Sequence, residues 1–198
     1  MALPQSLRLC LLRHSFPSVR SFMAVARPIY PRGAVAVAVC RQQAQGEPLE
    51  FLLARRAKPP AEGCWAIPGG KLELGEVALK GAAREISEET GLTAATGLRF
   101  IPWAIGTSDA IYPHGWKPES CEPLQFHYLI AQMFAFSTDW TAEVAAGDDA
   151  AALCWVTRQD VESGKLEIAG NVAATLLRAE TMMKAGLLKL EDAVVVET

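Results

Sequence analysis

From Val77 to Thr90 the sequence reads as one amphipathic helix: Ala78, Ala82 and Ile86 recur every four residues with Val77 beside them, and Gly91 follows where a helix commonly ends. Across from that apolar stripe stand Arg84, Glu85, Glu88 and Glu89. The three glutamates are related as i, i+3 and i+4, so a helix brings their carboxylates to one face. Like charges so close destabilise a helix by a few tenths of a kcal/mol per pair, and a divalent cation reverses that sign. Oxygen-only donors suit Mg²⁺ or Mn²⁺ and do not suit zinc, and such ions commonly share their shell with a phosphate. The competing reading is a solvated acidic helix face.

A helix of this kind needs a sheet or another helix to cover its stripe. Gly33 to Cys40 alternates Ala and Val, as in a strand buried on both faces. Gln42 to Pro48 reads as a turn and Glu50 to Arg55 as a strand pairing back. Ala57 to Gly63, with Pro59-Pro60, must be a loop. Further strands are expected over Leu98–Ile105, Gln125–Phe136 and Ala151–Thr157, with a long loop over Gly106–Pro123. A closing helix over Ile168–Gly186 would turn Val172, Leu176, Leu177 and Met183 to one side. Strands before and after a central helix predict an α/β sandwich with helices on the faces of a mixed sheet. With 198 residues, 51% of them hydrophobic, one domain with a sizeable core is expected. Its bounds read as residues 31–190, with a leader over 1–30 and a tail over 191–198.

Charge is unevenly placed. The first 46 residues hold six arginines and no acid, whereas all 22 acids lie from Glu47 onward against 13 basic residues. An Arg- and Ser-bearing, acid-free leader has the composition of a mitochondrial transit peptide, which predicts matrix import. The alternative is a disordered extension, with translation from Met23 giving a cytoplasmic protein. A net charge of −3 gives no general basic footprint, so nucleic acid is disfavoured as a partner. No apolar stretch approaches the roughly 20 residues of a membrane-spanning helix. The five cysteines are widely spaced without a CxxC pair and read as reduced thiols.

The joined pattern from Gly70 to Leu92, Gly-x5-Glu-x7-Arg-Glu-Ile-x-Glu-Glu-x-Gly-Leu, resembles the Nudix box, and every defined position is filled. Weaker likeness extends to Arg55-Arg56, Trp65-Ala66-Ile67-Pro68, Phe126-His127-Tyr128 and Gly147-Asp148-Asp149-Ala150, in the manner of the ADP-ribose pyrophosphatase-type branch. The resemblance implies a strand-loop-helix-loop motif in an αβα sandwich that hydrolyses nucleoside diphosphate derivatives, such as ADP-ribose or an NADH- or FAD-type dinucleotide, with Mg²⁺ or Mn²⁺. It further implies that Glu85, Glu88 and Glu89 ligate metal with the Gly69 carbonyl, and that Arg84 orients the glutamates. Gly70, Glu76 and Gly91 would be structural, Glu76 as a carboxylate at the start of the helix that caps free N–H groups and meets the dipole, and a homodimer is the family habit. A house-cleaning nucleoside triphosphate pyrophosphatase and a non-catalytic nucleotide- or RNA-binding module are the other readings. Retention of all of Arg84, Glu85, Glu88 and Glu89 favours catalysis.

The proton acceptor has no fixed place in the pattern. Glu85, Glu122, Glu143, Asp148 and Asp149 are all candidates. For substrate contacts, at most one of Arg55 and Arg56 faces the pocket, since neighbours on a strand alternate. Trp65 would stack on a base, although isolated aromatics near strands are more often core. Tyr112, Trp116 and Phe126 carry the same ambiguity, Glu73 lies outside the pattern, and His127 reads as a satisfied strand histidine.

Overall fold

The computed structural model describes residues 30–43, 46–147 and 149–198. The expected leader up to residue 29, Cys10 within it, and the candidate base Asp148 lie outside the described residues. Seven strands form one mixed sheet: β1 (Arg32–Arg41), β2 (Glu50–Arg56), β3 (Trp65–Ala66), β4 (Leu98–Phe100), β5 (Gly106–Tyr112), β6 (Phe126–Ser137) and β7 (Ala150–Thr157). Helices α1 (Ala78–Thr90), α2 (Arg158–Glu162) and α3 (Val172–Lys184) complete the domain.

The Ala/Val run becomes β1, parallel to β6 from Arg32↔Tyr128 to Cys40↔Phe136. A parallel pair must be covered on both faces, and it is. Val35, Val37 and Val39 pack with Ala82, Ala83 and Ile86 of α1. Ala38 and Cys40 pack with Val172, Leu176 and Ala179 of α3. Two cores flank one sheet, the αβα layering expected from the sequence.

The split in this sheet places the functional loop. β1 and β2 pair only at Cys40↔Phe51 and Arg41↔Glu50, while the other edge of β2 is taken along its length by β7. Beyond that joint, β3 pairs with β2 and the chain then runs beside β1. Val37 N–H donates to the Pro68 carbonyl and Val35 N–H to the Gly70 carbonyl, each at 2.9 Å. Gly69 is held here at φ 148°. A Cβ on it would stand 2.2 Å from the Val35 carbonyl oxygen, so no larger residue fits.

Several expectations are corrected. Leu98–Ile105 is not one strand: β4 ends at Phe100, and Ile101 and Ile105 both turn into the α3-side core. Residues 106–112 are not loop but β5, paired with β6 from Gly106↔Gln132 to Tyr112↔Phe126. As an outer strand, with Gly106, Ser108 and Ala110 half-covered on one face and Thr107 and Asp109 exposed on the other, β5 carries little apolar alternation to betray it. Leu177 is 50% exposed rather than part of the buried stripe, because it stands one residue, and 100°, from Leu176. Ile168 lies outside α3 altogether and bridges Trp65 at the edge of β3. The segment 191–198 lies on the sheet: Val194 bridges Phe100, and Val196 is buried in the α1-side core.

At the far end of β1, the Arg41 guanidinium lies between two indoles, 4.0 Å from the Trp140 ring centroid and 4.1 Å from that of Trp155. Its Nε donates to Glu50 at 2.8 Å. Arg41→Ala is expected to cost about 1–2 kcal/mol in urea unfolding. Arg41→Lys, which keeps the charge but loses the planar stack, is expected to recover only part of that loss.

Candidate active site

α1 ends as its sequence requires: Gly91 adopts φ 75° and its N–H donates to the Ser87 carbonyl at 3.0 Å. Ala82, Ala83, Ile86 and Thr90 face the core, which leaves Arg84, Glu85, Glu88 and Glu89 over the 68–72 segment. Arg84 organises this face. Its Nε and Nη2 each donate at 2.9 Å to the two oxygens of Glu76, a bidentate pair. Its Nη1 donates to Glu85 at 2.9 Å and to Glu88 at 3.2 Å, and Nη2 also reaches the Lys71 carbonyl at 3.0 Å.

Glu76 therefore differs from the role given to it by its position. It precedes the helix and is not its N-cap; that position falls to Val77, with no side-chain cap bond. Instead it accepts from Arg84 and from its own loop at Glu73 N–H, 2.9 Å. The hydrogen bonds from Arg84, first, hold its carboxyl down at about 2.

The three glutamates share a face but not a common point. Glu85 and Glu88 turn to Arg84, whereas Glu89 accepts from the Gly69 N–H at 2.9 Å. Among the described residues, no three acidic, histidine or cysteine side chains stand where one ion would touch all of them. Like charges repel, and each carboxylate takes the nearest donor. Burial pushes the Glu89 carboxyl up to about 7, reinforced by the negative charges of Glu85 and Asp149. Burial also raises Glu85. Burial of this kind favours added positive charge, and Glu88, whose side chain is 60% exposed, stays within reach of the same face through Arg84. The oxygens of the three, above a glycine pair that brings bare backbone close, fit a hard divalent cation. The closeness at Gly70 is tight: an added Cβ would fall 2.4–2.5 Å from the Glu85 carboxylate. Gly70→Ala is expected to displace Glu85 and lower any metal-dependent turnover by about tenfold or more, with the circular dichroism spectrum unchanged.

Of the two arginines on β2, Arg56 is the one whose charge is felt at Glu89 and Asp149. Arg55 is exposed and its Nε donates to the Gly63 carbonyl. Trp65 packs against the α3-side core, on the sheet face opposite α1. Asp149 pairs with Lys58, whose hydrogen bond keeps its carboxyl below the usual range. Glu122 and Glu143 are exposed, and the Glu122 backbone carbonyl accepts from the Trp116 indole at 2.9 Å. Tyr112 and Phe126 stack on each other at 5.4 Å, and His127 meets Asp109 at 2.8 Å. Reading the sequence missed Lys58, whose one signal is a basic residue between Arg56 and the proline pair, and Lys71, whose Nζ lies 5.9 Å from the Tyr128 ring centroid.

Comparison with known proteins places the fold and the family. Over 43 residues, 22% of this chain, it is 49% identical to a protein of Methanocaldococcus jannaschii named ADP-ribose pyrophosphatase, covering 25% of that protein. Over 45 residues it is 47% identical to a Mycobacterium tuberculosis protein named putative 8-oxo-dGTP diphosphatase 2, covering 22% of this chain and 32% of that one. The matches thus span about a quarter to a third of these relatives. In three dimensions, a Caenorhabditis elegans Ap4A hydrolase solved as a binary complex superposes with TM-score 0.59 at 19% identity, over 78% of this chain and 98% of the other. The NUDIX domain model matches residues 30–178, and the chain belongs to that family.

Proposed function

We infer that this protein hydrolyses the diphosphate linkage of a nucleoside diphosphate derivative, such as ADP-ribose or an NADH- or FAD-type dinucleotide, with the aid of Mg²⁺ or Mn²⁺. The observation that carries the reading is the set of glutamates Glu85 and Glu88, held by Arg84, and Glu89, held by the Gly69 N–H, on one helix face above the Gly69-Gly70 backbone. Those three side chains, with the Gly69 carbonyl, would hold the cation. When bound, the cation neutralises phosphate oxygens and makes phosphorus open to attack by water.

The chain's own residues do the rest. Arg84 keeps Glu85 and Glu88 from turning away into solvent. Arg56 adds positive charge on the Glu89 side, where a second phosphate would need it. Among the described candidate proton acceptors, Glu85 and Asp149 are those whose charges reach Glu89. The matched relative named ADP-ribose pyrophosphatase supports the substrate class. The relative named 8-oxo-dGTP diphosphatase keeps triphosphate cleavage as the second reading.

A panel of nucleoside diphosphate derivatives and triphosphates, assayed with Mg²⁺ and then Mn²⁺, tests the proposal. Release of AMP from ADP-ribose is expected. Release of pyrophosphate from triphosphates alone would favour the second reading, and binding without turnover would make the chain a nucleotide-sensing module.

A further inference from the structure

The loop between β6 and β7 runs from Trp140, on the Arg41 guanidinium, to Asp149, which pairs with Lys58. On the way Ala142 and Val144 pack into the α1-side core. Then the backbone itself meets the end of α1. Ala145 N–H donates to the Thr90 carbonyl at 3.0 Å, and Gly147 N–H to the Glu89 carbonyl at 3.1 Å. These are carbonyls that the last turn of a helix cannot satisfy from within. A chain segment more than 50 positions away thus completes the C-terminus of the carboxylate helix. The approach is possible because residue 147 is glycine: a Cβ there would fall 2.0 Å from the Glu88 carbonyl oxygen and 3.3 Å from the Glu89 Cα.

We propose that Gly147 is a positioning residue, the seat through which this loop clamps the Glu88–Glu89 turn in the register needed to receive a divalent cation. The inference rests on the proposed metal-dependent function for its catalytic consequence, but the clamp itself is a property of the backbone. Any residue larger than glycine must lift the loop away from the helix end, break the two hydrogen bonds between loop and helix and free the last turn of α1. Asp149, carried by the same loop and tied to Lys58, would move with it.

The test compares wild type, Gly147→Ala, Trp140→Leu and, as control, Ala146→Ser, which adds its atom at an exposed site in the same loop. Amide exchange is read by NMR at Ala145 and Gly147, and Mg²⁺ is titrated by calorimetry and by activity. In Gly147→Ala, protection of those two amides is expected to vanish, and the Mg²⁺ midpoint to rise by about tenfold or more. Trp140→Leu, which leaves the helix contacts in place and loosens the far end of the loop, is expected to raise the midpoint by a smaller factor, and it carries the test if Gly147→Ala does not fold. Ala146→Ser is expected to match wild type. A Mg²⁺ midpoint in Gly147→Ala within about twofold of wild type, by calorimetry, overturns the clamp. An inactive wild type that still binds Mg²⁺ sinks the proposed hydrolysis alone, and the calorimetric comparison then decides the clamp; a wild type that binds no Mg²⁺ overturns both.

Discussion

Glu89→Gln is expected to lose metal-dependent hydrolysis by about two to three orders of magnitude while the fold gains stability above neutral pH. The two effects have one origin. Desolvation raises the Glu89 carboxyl from 4.5 to about 7. The folded chain therefore holds that proton more tightly than the unfolded one, and stability falls as pH rises from about 4.5 to about 7. Above that window the ionised, half-buried group is a standing cost on the order of 2 kcal/mol, before any cation is added. Glutamine removes the cost and keeps an oxygen for the Gly69 N–H. Thermal unfolding at pH 5 and pH 8 with chelator present checks the sign: the variant should lead at pH 8 and converge with wild type at pH 5. Added Mg²⁺ should then stabilise the wild type and leave the variant nearly unmoved.

Arg84→Ala is the second large effect, and here stability and activity fall together. One guanidinium serves Glu76, Glu85, Glu88 and the Lys71 carbonyl. Removing it leaves several acids facing one another, two of them with side chains only 14% exposed. A loss of about 2 kcal/mol or more is expected, or a Tm drop of about 4–8 °C for a domain of this size. Because Glu76 is held down at about 2 by this contact, its share is present above about pH 4.5 and fades as pH falls toward 2. The gap between wild type and variant should therefore narrow in acid. Arg84→Lys should recover little, since a point charge cannot satisfy a bidentate pair and two further acceptors at once.

Much of the architecture was legible because it is written in period. β1 announces itself by Ala/Val alternation and α1 by apolar residues four apart, and both lie where expected. Likewise the shared face of the three glutamates follows from spacing, and the resemblance to the Nudix box joins them to the glycine pair and the arginine as one unit. What spacing cannot give is the partner each side chain finds in three dimensions. Glu76 looked like a helix cap and proved to be a brace for Arg84, since the arginine, two turns along the helix, is the stronger donor. The carboxylates, expected to converge, divide between Arg84 and Gly69. β5 was invisible because Gly106, Ser108 and Ala110 offer little apolar contrast to the opposite face. The Arg41 stack and the Gly147 seat join residues far apart in sequence, a kind of contact that no local pattern records.

The segment that follows α3 bears on how the molecule behaves among its own kind. Phe100 and Val194 exchange two backbone hydrogen bonds, 2.9 and 2.7 Å, along the outer rim of β4. A bare rim of this sort is a template on which a second polypeptide adds itself, and here the segment around Val194 already occupies it. Proteolytic trimming of those residues would uncover the template and withdraw Val196 from behind α1 at the same time. Clipped material is therefore the form in which self-association would begin.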